Sequence, residues 1–122
     1  MTSRAAPAAH HVHVWRAALD VSEGLLATLA AALSEEERQR AQRFRVAAAA
    51  RQFTATRGWL RQLLASYTDS GPTDLAIAID TNGKPRLSTP GLGWLRFNLS
   101  HSAELAVFVV ARDREVGIDV EP

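Results

Sequence analysis

The sequence predicts a single α+β domain in which an antiparallel sheet of short strands packs against one long helix, with a shorter helix or two beside it. Phe53, Leu60, Leu63, Leu64 and Tyr67 mark an apolar stripe at helical spacing from about Val46 to Tyr67, and Gly71-Pro72 ends it. Residues 10–19, 75–79, 94–99, 105–111 and 116–121 are short alternating or continuously apolar runs of the kind that form strands. Turn residues divide the runs. Asp80-Thr81-Asn82-Gly83 and Arg112-Asp113-Arg114 are the clearest, so sequential strands are expected to lie antiparallel.

At 122 residues the chain can bury one modest core, not two. A hydrophobic fraction of 47% and a net charge of +1 point to a soluble globular protein and away from a disordered or nucleic-acid-binding tail. The absence of cysteine excludes disulfides, thiolate metal sites and thiol catalysis. No apolar run approaches the ~20 residues that cross a bilayer. The start, MTSRAAPAAHH, lacks the apolar core of a secretory signal, so the cytoplasm is the expected compartment.

Residues 1–9, Ala-rich with one Pro, are expected to be a flexible lead-in. His10–Leu19 follows as a strand, with His11 and His13 on one face. Two histidines without a third ligand nearby are more simply the wet face of that strand. Asp20 or Ser22 can cap a helix over Glu23–Leu33. Ser34-Glu35-Glu36-Glu37 forms a capping box for the next helix, and Arg38, Arg40, Arg43 and Arg45 follow in the order a helix dipole favours. The arginines have three readings: solvated faces paired with the glutamates, a nucleic-acid surface without obvious interleaved aromatics, or a pocket for a polyanionic small molecule. Leu105–Ala111 is almost wholly apolar and is expected to be buried on both faces.

The last run carries Asp119 and Glu121. Strand alternation puts them on one face about 6.5 Å apart, with Ile118 and Val120 on the other. Two carboxylates so placed suit a hard cation such as Mg²⁺, which uses one or two carboxylates plus water and phosphate oxygens. Two solvated carboxylates on an edge strand would have the same sequence. Upstream, Trp94–Leu99 delivers Asn98 and then Ser100 and His101, expected in a turn where hydroxyl, turn N–H groups and imidazolium would form a phosphate cradle. A serine nucleophile is disfavoured, because no G-x-S-x-G elbow surrounds Ser100.

Four segments taken in order, RQFTATRGWLRQLL (51–64), NGKP (82–85), FNLSHS (97–102) and VGIDVE (116–121), resemble the Sfp-type 4'-phosphopantetheinyl transferases. The resemblance spans residues 33–122. It implies one half of that family's pseudo-dimer, over residues 10–115, with residues 116–122 as the first strand of a second half. It also implies Mg²⁺-dependent transfer of 4'-phosphopantetheine from coenzyme A to a serine of an acyl or peptidyl carrier protein. Matched residue by residue, Arg57, Lys84, Ser100 and His101 contact the coenzyme, and Arg51 matches less cleanly. Asp119 and Glu121 hold the metal and are the catalytic pair. Glu37 departs from the family, which often has a basic residue at that place. The family's K-E-A helix, expected to supply a third carboxylate, a base and a lysine, has no counterpart in the sequence. The chain is therefore expected to bind coenzyme A weakly, to be inactive alone, and to need a second half or to self-associate. The rival readings are a non-catalytic coenzyme A-binding or scaffold module and an Arg-rich nucleic-acid binder. Neither a membrane nor a nucleic acid is the expected partner.

Overall fold

A computed structural model describes residues 5–8 and 11–113. In chain order these form β1 (Val12–Ala18), α1 (Glu23–Ala31), α2 (Glu35–Arg43), α3 (Ala47–Ser66), a 3₁₀ turn (Pro72–Asp74), β2 (Ile77–Ile79), β3 (Pro85–Leu87), β4 (Leu95–His101) and β5 (Leu105–Arg112). The sheet is antiparallel in the order β1-β5-β4, and β2 and β3 make a separate hairpin. The predicted α+β architecture holds. The expected lead-in overlaps the described residues only at 5–8, where Pro7 is fully buried. No helix among the described residues is long and apolar enough to cross a membrane.

Central position explains β5. Ala106 through Ala111 are all buried, because strands flank β5 on both sides. Register then assigns faces. Trp15 lies opposite Phe108 and Leu99 opposite Phe108, so Trp15, Phe108 and Leu99 share one face with Leu95, Phe97 and Val110. That face packs on α3 through Leu60, Leu64 and Tyr67, with Leu29 of α1 and Leu75 completing the core. The opposite face carries Val12 and Val14, both exposed, beside Arg16, Arg96, Asn98 and Ser100.

Local chemistry sets the helix ends. The Ser22 hydroxyl accepts from the Leu25 N–H, so Ser22 rather than Asp20 caps α1. Ser34 and Glu37 form the predicted capping box at α2. The stripe on α3 differs in part from its expected membership. Leu60, Leu64 and Tyr67 are buried, whereas Phe53 and Leu63 are half-buried and Ala55, Gly58 and Arg61 lie inside. An interior glycine in a helix costs roughly 1 kcal/mol relative to alanine. Gly58 is accommodated because α1 crosses there: a Cβ on it would sit 2.6 Å from both the Cβ and the carbonyl O of Leu29.

Candidate functional site

The β2–β3 hairpin and β4 enclose a cleft of about 190 Å³. Asp80 organises its hairpin wall. The Asp80 carboxylate accepts from the N–H of Asn82 (2.8 Å) and of Lys84 (3.0 Å), and from Nε of Arg86 (2.9 Å). Only glycine readily adopts the φ of +80° found at Gly83, and the chain then returns through Lys84-Pro85. Lys84 and Arg86 are two apart along the strand direction and both line the cleft; Arg96 and Asn98 of β4 line it from the other side. Three cations and one carboxylate in so small a space favour an anionic occupant.

The Arg86 hydrogen bond, followed by the backbone N–H of Lys84, holds the Asp80 carboxyl below the usual Asp value. The folded-state value is therefore depressed, and the contribution to stability is present above the unfolded Asp pKa and lost as pH falls through the folded one. Asp80 is half-buried beside an Arg86 that reaches solvent, so screening keeps the contribution small. Amide resonances of Asn82 and Lys84 are expected to titrate together at a pH below the ordinary Asp value of about 3.9. A midpoint at or above that value would contradict the Asp80 hydrogen-bond arrangement.

A second charged cluster joins α2 to α3. Glu37 Oε1 accepts from Ser34 N (3.0 Å) and Arg61 Nε (2.5 Å), while Glu37 Oε2 accepts from Arg57 Nη1 (3.2 Å). Arg61 is only 2% exposed and also donates to the carbonyls of Pro72 (2.9 Å) and Leu75 (2.7 Å). Burial pulls the Arg57 guanidinium below its ordinary value, with Glu37 opposing that shift and Arg40 adding to it. Arg40 and Arg57 both lie over the Phe53 ring, at 4.8 and 5.5 Å from its centroid. Two cations on one ring, beside a single carboxylate already bonded to Arg61, leave this corner net positive.

The structure brings some of the sequence-predicted residues together and separates others. Lys84 lines the cleft with Asn98. Ser100 and His101 are not in a turn: pairing with β5 continues to His101↔Ala106, so they are the last two residues of β4. Strand alternation then sends their side chains to opposite faces, Ser100 with Asn98 and Arg96, His101 with Phe97 and Leu99. The turn comes one residue later, where Ser102 N donates to Leu105 O. Gln52 of α3 donates to the Ser102 carbonyl (3.0 Å) and so ties the strand end to the helix that carries Arg57. Arg51 lies apart, paired with Glu23 and bonded to the Val21 carbonyl, fastening α1 to α3. His13 Nδ1 is hydrogen-bonded to the Tyr67 hydroxyl (2.7 Å). Asp119 and Glu121 lie outside the described residues.

A family model described as "4'-phosphopantetheinyl transferase, N-terminal" matches residues 17–113. The chain belongs to this family. It is 43% identical over 114 residues to the 4'-phosphopantetheinyl transferase HetI of Nostoc sp. (strain PCC 7120), covering 90% of this chain and 47% of that protein. It is 32% identical over 94 residues to a phosphopantetheinyl transferase of Thraustochytrium sp., covering 77% of this chain and 33% of that one. This transferase N-terminal domain thus spans less than half the length of either relative. Among solved structures, a holo-(acyl-carrier-protein) synthase from Bacillus anthracis in complex with CoA (3',5'-ADP) matches with a TM-score of 0.64 at 24% identity. That match covers 81% of this chain and 91% of the synthase, and it speaks to the fold.

Sequence reasoning missed three features of the transferase domain. Arg86 was legible in principle, since Lys84 and Arg86 share a strand face by spacing alone. Glu37 was read as a capping residue and as a departure from the family, not as a buried ion-pair partner. Its burial against Arg57 and Arg61 depends on how α2 meets α3. Gln52 carried no signal, because its partner is a backbone carbonyl fifty residues away.

Proposed function

We propose that this domain supplies the coenzyme half-site of a 4'-phosphopantetheinyl transferase that moves 4'-phosphopantetheine from coenzyme A to a serine of an acyl or peptidyl carrier protein. The supporting observation is the basic cleft of Lys84, Arg86 and Arg96, built against the strand that ends in Ser100 and His101, in a chain of this family. In the transfer, the serine oxygen bonds to the phosphorus nearest pantetheine, the bond to the bridging oxygen breaks, and 3',5'-ADP leaves. The work of this half is to hold the diphosphate and offset the charge that develops on the leaving group. Lys84 meets that charge from the hairpin and Arg57 from α3. Ser100 and His101, on opposite faces of the strand end, border the same ligand from two sides.

A pair of carboxylates two residues apart fits a hard divalent cation, and Asp119 and Glu121 are the residues that would hold Mg²⁺. Bound there, the ion supplies Lewis-acid charge to phosphate oxygens. The exposed Val12 and Val14 mark the sheet face expected to be covered by a second half or a second copy of the chain. Alone, the domain is expected to bind coenzyme A weakly without transferring it. Incubation with Mg²⁺, coenzyme A and an apo carrier protein should leave the carrier mass unchanged, and adding a chain that supplies the second half should produce the conjugate. Appreciable conjugate from the domain alone would refute the half-site reading.

A further inference from the structure

We propose that Asp80 is the positioning residue of the coenzyme half-site: its carboxylate aims the Arg86 guanidinium at the basic cleft and fixes the turn from which Lys84 enters it. The role rests on the half-site reading and falls to a residue outside the NGKP segment.

Hairpin register sets the geometry. Ile79 pairs with Pro85 and Ala78 with Arg86, which leaves Asp80 opposite Lys84 at the closed end, where Asp80 N donates to Lys84 O (2.8 Å). Strand alternation then puts Asp80, Lys84 and Arg86 on one face and Ile77 and Leu87 on the other, against the core.

The two carboxylate oxygens have separate partners. Oδ1 accepts from the N–H of Asn82 and of Lys84, which shapes the turn. Oδ2 accepts from Arg86 Nε. The turn needs only the first oxygen, and asparagine would supply it as well. The second bond adds little to stability, because the Arg86 side chain is 43% exposed. A carboxylate here also opposes any anion entering the cleft. What the second oxygen contributes is direction: a guanidinium tethered through Nε has already lost rotamer freedom, so an arriving ligand does not have to order it. The Lys84 ammonium has no hydrogen bond or ion pair among the described residues, so the turn alone sets its approach.

Asparagine at position 80 separates the two oxygens. Asp80→Asn keeps the Oδ1 acceptor, so the hydrogen-bonded amide shifts of Asn82 and Lys84 should be retained while the Arg86 bond is lost. Coenzyme A with Mg²⁺ is titrated against the whole chain and followed in ¹H–¹⁵N spectra. By charge alone, removing a carboxylate tightens an anion. Positioning predicts the reverse, a Kd raised about threefold to tenfold, the scale of one side chain left to be ordered on binding. In the Arg86→Gln background the same substitution should not weaken binding. Tighter or unchanged binding by Asp80→Asn, or equal weakening with and without Arg86, overturns the positioning role and leaves the half-site standing. A parent chain whose 80–87 segment does not respond to coenzyme A overturns both.

Discussion

Replacing Glu37 with alanine is expected to destabilise the domain by about 3–5 kcal/mol, the usual cost of stranding a buried charge. Arg61 is 2% exposed and Arg57 14%, and among the described residues Glu37 is the one carboxylate bonded to either. The same change removes the reciprocal half of the capping box, because Glu37 Oε1 accepts from the Ser34 N–H. For a chain of this size the loss corresponds to a fall in Tm on the order of 10 °C or more. Glu37→Gln separates the contributions. Glutamine still accepts from Ser34 and Arg61 but carries no charge, so its cost should be smaller than that of alanine. Chemical denaturation of both variants measures the difference. A Glu37→Ala protein within about 1 kcal/mol of the parent would mean that Arg61 is adequately satisfied by the Pro72 and Leu75 carbonyls alone.

Gly58→Ala should also destabilise, against the helix propensity that favours alanine by about 1 kcal/mol. The added methyl would stand 2.6 Å from the Leu29 Cβ and from the Leu29 carbonyl oxygen, with the carbonyl carbon at 2.9 Å. Two of those atoms are backbone, and Leu29 is itself buried to 1%, so neither helix can yield by turning a side chain. Relief requires α1 and α3 to move apart, which exposes core and carries the ~1–3 kcal/mol penalty of overpacking or more. A thermal melt reads the sign directly. A raised Tm for Gly58→Ala would show that the two helices are not held at this separation.

Much of the fold was legible because its signals are local. The Ser34–Glu37 box, the turn at Asp80–Gly83 and the apolar run of β5 each follow from residues close in sequence. The boundaries that moved did so for tertiary reasons. Ser100 and His101 look like the start of a turn, yet pairing with β5 draws them into β4, and the hairpin closes at Ser102 instead. The predicted strand over Leu75–Ile79 shrinks to Ile77–Ile79, because the Leu75 carbonyl is taken by Arg61 and its side chain enters the core. The site was half legible. Lys84 could be found from its turn, but the fates of Arg51 and Arg57 depend on Glu23 and Glu37, partners 28 and 20 residues distant. Arginine spacing along α3 cannot reveal which guanidinium is already engaged.

The most direct test of the coenzyme half-site is a ¹H–¹⁵N spectrum of the domain titrated with coenzyme A and Mg²⁺, read residue by residue. Shifts should concentrate in residues 80–87 and 96–102, saturate, and disappear in Lys84→Ala, while the amides of α1 stay still. A titration in which those two segments do not respond, or in which the Lys84→Ala spectrum responds as the parent does, would contradict the account.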